Sequence, residues 1–225
     1  RDNNTGRASF YINGTRVATS TSATGVDYSS SLYVGTFNGS SAYFPGYISD
    51  VRIVKGSYVY DPASSTVTIP TAPPTAIANT QLLANFTNAG ITDATAKNDL
   101  QTLGNAQIST TQSKFGGSSV SFDGTGDYLL APSSPNISFG SGDFTVEAWV
   151  YLNSTTSYMT LMASYPYHQA GISTVAFRVG TSGTYASWTD GGGTPAASLG
   201  GLSWSANTWY HVAWVRYNGV VTMYR

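Results

Sequence analysis

Glu147 is the only glutamate in 225 residues, and it stands in the segment TVEAWV. Cleaving a glycosidic bond with retention needs two carboxyl groups about 5 Å apart, one as acid and one as nucleophile. Asp143 lies four residues earlier, on the same face as Glu147 if the segment is a strand. An aspartate at the mouth of a strand is more commonly a turn former. The residues two and five positions after Glu147 are Trp149 and Leu152, so no second acid follows. Glu147 is therefore expected to satisfy a buried polar network behind a sheet. The two histidines are His168 and His211, and His211, inside WYHVAWV, reads as a donor within a sheet. The serines of GGSSV and FGSGD lack the strand–turn–helix setting of a nucleophile elbow, and no glycine-rich loop precedes a helix. The expectation is a chain that is not an enzyme.

Aromatic planes and hydroxyl or amide groups suit a different chemistry, stacking on sugar C–H faces while selecting sugar hydroxyls. SYMTLMASYPYHQAG supplies Tyr165, Tyr167, His168 and Gln169, and TYASWTDGGG supplies Tyr185, Trp188 and Asp190. Polar and aromatic side chains on loops over a rigid scaffold are the usual form of a binding site. These seven residues are the candidate ligand-binding set. Trp149, Trp209 and Trp214 fall in strongly alternating segments and are assigned to the core.

Short strands must position these residues. ASFYING, SLYVGTFNG, GYISDVRIVKG, QLLANF, SSVSFDG, DYLLAP, DFTVEAWVYL, YMTLMAS, VAFRVG, WYHVAWVRYNG and VVTMYR alternate or close on turn residues. Their spacing is that of an all-β sandwich. Asn13-Gly14 is a hairpin-turn pair that tolerates positive φ. No segment sustains a helical period; Asp93 to Leu103 comes nearest and is short. Only 9% of residues are charged, against ~25% in typical soluble domains, and Ser, Thr, Asn, Gly and Tyr replace them. Ten scattered Lys and Arg and a net charge of −1 argue against nucleic acid, which requires a dense cationic face. The chain has no cysteine, which excludes disulfides and thiolate metal sites. No apolar run reaches the ~18 residues of a membrane span. Residue 1 opens inside a strand-like segment rather than a leader, so the chain reads as a fragment, a processed product or a protein exported without a cleaved leader.

Residues 61–81 hold four of the nine prolines. Proline fixes φ and lacks an N–H, so this run reads as an extended linker. It separates residues 1–60 from 82–225. The head, RDNNTGRASFY, and the tail, RYNGVVTMY, look alike: each has an arginine, a polar turn with Asn and Gly, and then Phe10-Tyr11 or Met223-Tyr224.

FGSGDFTVEAWVYL, NTWYHVAWVRYNGVVTMY, ASFYINGTRVA, FPGYISDVRIVKG and KFGGSSVSFDGTGDYLLAP together resemble landmarks of the laminin-G-like, concanavalin A-like lectin/glucanase superfamily. The resemblance implies an antiparallel jelly-roll β-sandwich. It also implies an order: in the family the FDG…DYL and FTVEAWV landmarks precede WYHVAWVR, and YINGTRVA and YISDVRIVKG come last, whereas here those two come first. The chain thus reads as the C-terminal part of a first domain (1–60), a linker (61–81) and the N-terminal two thirds of a second (82–225), cut from a tandem array. The alternative is a circular permutant in which residues 1–60 complete the sandwich. The family's glucanases carry an E-x-D-x-x-E strand, which is not present here. Its lectins often hold a rim Ca2+, and Asp123, Asp127 and Asp50 offer oxygen ligands. By resemblance to phage fibre and bacterial surface proteins, the expected function is a non-catalytic carbohydrate-recognition and adhesion module, extracellular, on a virion or cell surface. Its expected partners are a surface polysaccharide and neighbouring copies of itself, with no nucleic acid and no membrane insertion. The alternative is a purely structural subunit of a fibre or filament that assembles by strand complementation.

Overall fold

The computed structural model describes residues 7–20, 31–86, 90–137, 142–155, 159–164, 175–179, 185–188, 203–217 and 220–222. Among these described residues, fifteen strands form two sheets. Sheet A runs β2 (Thr15–Ser20), β1 (Arg7–Ile12), β15 (Val220–Thr222), β14 (Trp209–Tyr217), β10 (Phe144–Leu152), β4 (Pro45–Lys55), β8 (Ser119–Asp123) and β7 (Gln107–Ser109). A ninth strand, β5 (Thr80–Ala84), also pairs with β4. Sheet B runs β13 (Tyr185–Trp188), β12 (Val175–Val179), β11 (Met159–Ser164), β3 (Leu32–Val34), β9 (Tyr128–Ala131) and β6 (Gln101–Leu103). Pairing is antiparallel except for one parallel contact between β1 and β15. This is the all-β, two-sheet sandwich expected from the spacing of the alternating segments.

Strands from residues 1–60 and from residues 82–225 are interleaved. β4 lies between β10 and β8 in sheet A, and β3 lies between β11 and β9 in sheet B. The long β4 uses one edge for β10 and divides the other between β8 and β5.

Period-two alternation decides what faces the core. On β10, Phe144, Val146, Ala148, Val150 and Leu152 point into the sandwich, and on β14 Tyr210, Val212 and Trp214 do the same. They meet Leu32, Val34, Leu129, Ala131 and Leu161 from sheet B. Each large side chain buried there stabilises the fold by about 1.5–3 kcal/mol. The tryptophans do not all join this core. Trp214 does; Trp149 is buried too, but on the outer face of sheet A, and Trp209 is half-buried there, because odd positions alternate with the core-facing even ones. The β1–β2 hairpin closes on Asn13 (φ 48) and Gly14 (φ 81), the two positive-φ positions that its turn requires. Residues 93–100 form turns rather than a helix; the Asp93 carboxylate accepts from the amides of Leu83, Thr95 and Asn98 and braces the loop.

Residues 57–78 do not lead away from the sheets. They run as a strap across the outer face of sheet A. Val59 N–H donates to Thr145 Oγ1 at 3.0 Å, Ser9 Oγ donates to the Pro62 carbonyl at 2.8 Å, and Val67 N–H donates to the Gly14 carbonyl at 2.7 Å. Four prolines keep the run extended, and between them Thr66 bridges the β2 edge at Thr15.

Candidate functional site

The outer face of sheet A carries two neighbouring patches. The first lies beneath the strap and is built on Glu147, which is 1% exposed. Arg52, opposite Glu147 on β4, donates from Nε to Glu147 Oε1 at 2.7 Å and from Nη2 at 2.5 Å. The strap residue Tyr60 donates its hydroxyl to Oε2, and His211 on β14 approaches the same oxygen from Nε2 at 3.1 Å. Arg52 Nη1 donates across to the Thr75 carbonyl of the strap at 3.1 Å. Burial by itself would raise the Glu147 pKa, but the His211 hydrogen bond, the positive charges and the Tyr60 hydrogen bond win and hold it below the usual glutamate value. A carboxylate with both oxygens occupied by donors is a poor nucleophile and a poor acid. Asp143 precedes β10, and four residues of strand rise place it roughly 13 Å along the chain from Glu147, far beyond the separation of a retaining pair.

Asp50 belongs to this patch as well. It sits in a β4 bulge with φ 56, where two β4 residues, Asp50 and Val51, stand opposite the single β10 residue Ala148. A bulge re-aims side chains, and here it turns both Ser49 and Asp50 toward the polar side. Ser49 Oγ donates to Asp50 Oδ2 at 2.7 Å. Burial raises the Asp50 pKa to about 6, with the Ser49 hydrogen bond opposing and the nearby Glu147 charge adding to the rise.

The second patch lies beyond the strap. In register across adjacent strands stand Gln107 on β7, Ser121 on β8, Tyr47 on β4, Tyr151 on β10 and Trp209 on β14. Four strand spacings make this row about 19 Å long. Tyr47 and Tyr151 meet edge to face with centroids 5.7 Å apart, and Tyr151 and Trp209 are tilted at 5.5 Å. All three rings are half-buried. One step along the strands, Trp149 packs against His211 at 5.3 Å, beneath Phe115 and the Lys114 ammonium, which lies 4.0 Å from the Trp149 ring centroid. Trp149 Nε1 and His211 Nδ1 are buried without a hydrogen-bond partner. Because Glu147 can only accept, His211 Nε2 is the donor in that pair, and Nδ1 is left on the far side of the ring.

The sequence did not assemble this row. Tyr47, Tyr151 and Trp209 come from three distant segments, and only strand register makes them neighbours. Their signal was present as aromatic residues at odd positions opposite the core-facing ones. The residues chosen from sequence fare differently. Tyr165, Tyr167, His168, Gln169 and Asp190 lie outside the described residues, and Tyr185 and Trp188 fall on β13 with side chains outside the described set.

The three proposed calcium ligands are not gathered. Asp127, 1% exposed, accepts the Asn105 and Asp123 amides at 2.8 and 2.9 Å. Asp123 accepts the Thr125 amide at 2.7 Å and Asn105 Nδ2 at 3.1 Å. Asp50 stands five residues further along β4 than Pro45, the residue opposite Asp123, or about 16 Å away. Among the described residues, no three His, Cys, Asp or Glu cluster as metal ligands. A hollow of about 310 Å³ elsewhere among the described residues is lined by Ile91, Asp93, Asn98 and Asp99, and its Asp93 is spent on the loop brace.

The Laminin_G_3 family model, described as concanavalin A-like lectin/glucanases superfamily, matches residues 1–58 and 123–225, well over half of the chain. The chain belongs to this family. Within this Laminin_G_3 domain, both matched stretches contribute to the outer face, with Tyr47 and Arg52 from the first and Glu147, Tyr151, Trp209 and His211 from the second. The strap, residues 57–78, falls almost wholly between the matched stretches. No curated protein and no solved structure matches the chain. Among the described residues, no helix is long and apolar enough to cross a membrane.

Proposed function

We propose that this Laminin_G_3 domain is a non-catalytic carbohydrate-recognition and adhesion module of an extracellular surface, a virion fibre or a cell exterior, and that it binds polysaccharide along the outer face of sheet A. The observation carrying this reading is the in-register row Tyr47–Tyr151–Trp209, half-exposed and continued by Ser121 and Gln107. Stepped aromatic rings offer planes to sugar C–H faces, while a hydroxyl and an amide at one end select sugar hydroxyls. A row crossing five strands suits a run of several sugar rings better than a single terminal sugar. The occupied oxygens of Glu147 support recognition without turnover.

Binding to a panel of linear and branched polysaccharides, followed by titration calorimetry, tests the reading. Tyr151→Ala and Trp209→Ala are expected to lower affinity at least tenfold, ~1.4 kcal/mol each, with melting temperature little changed because both rings stand on the outer face. Chelation with EDTA is expected to leave binding intact, since Asp123 and Asp127 are engaged in closing their own loop. Binding unaffected by either aromatic substitution but abolished by Tyr167→Ala and Trp188→Ala would move the site to the other set. No binding to any polysaccharide would remove the reading.

A further inference from the structure

The flank of β14 is assigned twice. One edge of β14 belongs to β10 from Trp209 to Arg216, with Val215 opposite Thr145 and Arg216 opposite Phe144. On the other edge, β1 places Arg7, Ala8 and Ser9 opposite Tyr217, Arg216 and Val215. β15 places Val220, Val221 and Thr222 opposite those same three residues. A strand has two edges, and each backbone N–H and C=O on an edge serves one neighbour's ladder. Arg7–Ser9 and Val220–Thr222 therefore claim one slot in one register. The likeness of the head and tail segments is thus a likeness of pairing position, with Ser9 and Thr222 equivalent down to the residue they face.

We propose that the β1–β2 hairpin is an exchangeable element, displaced from its own β14 when β15 takes the slot and able to dock on β14 of a second copy of this chain. Each occupant has its own advantage. β15 is joined to β14 across two residues, Asn218 and Gly219, so its loop closure costs little. β1 matches six positions of β14 and continues with Asn13 N–H donating to the His211 carbonyl at 2.8 Å. Competition for Val215–Tyr217 weakens the hold on β1 without removing its remaining partners. The hairpin connects to β3 through the eleven residues from 21 to 31, which can span at most about 36–40 Å, enough for a hairpin to cross to an adjacent molecule. A second copy presents the identical edge, and reciprocal exchange closes into a symmetric pair.

The chain has no cysteine, so engineered thiols report on this slot alone. Ser9→Cys, Thr222→Cys and Val215→Cys are near-isosteric changes. In the full chain under a glutathione redox buffer, Ser9→Cys/Val215→Cys and Thr222→Cys/Val215→Cys are both expected to close within one molecule, each incompletely. Mixing the Ser9→Cys chain with the Val215→Cys chain is expected to give a covalent heterodimer whose yield rises with concentration, read on a non-reducing gel with mass spectrometry of the linked peptides. Val221→Pro, which removes a ladder donor from β15, is expected to lower that yield several-fold. Complete closure of Ser9 to Val215 within one molecule with no heterodimer on mixing would overturn the proposal. So would a failure of Thr222 to reach Val215 at all, or a heterodimer yield indifferent to Val221→Pro.

Discussion

Asp50 and Glu147 occupy neighbouring strands of one face, yet burial acts on them in opposite ways. Glu147 has four donors from Arg52, Tyr60 and His211, enough to overcome desolvation and depress its pKa. Asp50 has one hydrogen bond, from Ser49, and its pKa rises to about 6 from 3.8. Between those two values the folded chain keeps a proton that the unfolded chain has released. Raising the pH through this window therefore costs stability, on the order of 2–3 kcal/mol in total. Asp50→Asn is expected to stabilise the domain at pH 7, to leave it unchanged near pH 4, and to flatten the decline between them, as read by guanidinium unfolding at each pH. Glu147 has the opposite sign. Its contribution is present above the ordinary glutamate pKa and is lost as the pH falls through its depressed value. Glu147→Gln leaves Arg52 buried opposite a neutral amide and is expected to cost about 3–5 kcal/mol at pH 7. The sequence marked Glu147 correctly as a buried network residue, because a lone glutamate in an alternating apolar strand has little else to do. It could not name Arg52 as its partner, 95 residues away, nor foresee the bulge that turns Asp50 onto the same face as Glu147.

At the scale of elements, the strap is the feature that changes the picture. Its prolines announce an extended run that cannot be a central strand, and that much is written in the chain. Where the run lies is decided by side chains on the face beneath it: Ser9, Tyr11, Thr145, Glu147 and Arg52 each bond to it. Tyr60→Phe removes a hydrogen bond to a charged acceptor, worth about 1.5–3 kcal/mol, and is expected to speed proteolytic cleavage within residues 57–78. If cleavage there is unchanged in Tyr60→Phe, the backbone anchors alone hold the strap. The hairpin turn meets the strap from the other side. A Cβ on Gly14, at φ +81, would lie 2.5 Å from the Val67 carbonyl oxygen. Gly14→Ala is expected to lower stability by about 1–3 kcal/mol, measurable as a reduced melting temperature.

For the whole molecule, the placement of β4 matters most. It stands mid-sheet with β10 along one edge and β8 and β5 along the other. Residues 82–225 without it would expose one whole edge of β10 and the apolar flank of the core. Such a fragment, expressed alone, is expected to aggregate or remain unfolded, and to recover native circular dichroism when residues 1–60 are co-expressed. A monomeric, cooperatively folding 82–225 fragment would contradict the interleaving. The doubly claimed edge of β14 belongs to this scale too, since its consequence is contact between molecules.

Local chemistry made several features legible from sequence alone. Alternation fixed which residues are apolar partners, Asn13-Gly14 fixed a turn, proline fixed an extended run, and the near absence of charge fixed the character of the surface. These depend on residues within a few positions of one another. What only the tertiary structure decided is which distant segments become neighbours. Tyr47, Tyr151 and Trp209 form a row, Arg52 finds Glu147, and Ser9 and Thr222 face the same valine, because strand register is set by the packing of two sheets around one core. Period-two alternation names the face of every side chain but leaves the partner strand open, and the partner strand is where this protein's candidate site is made.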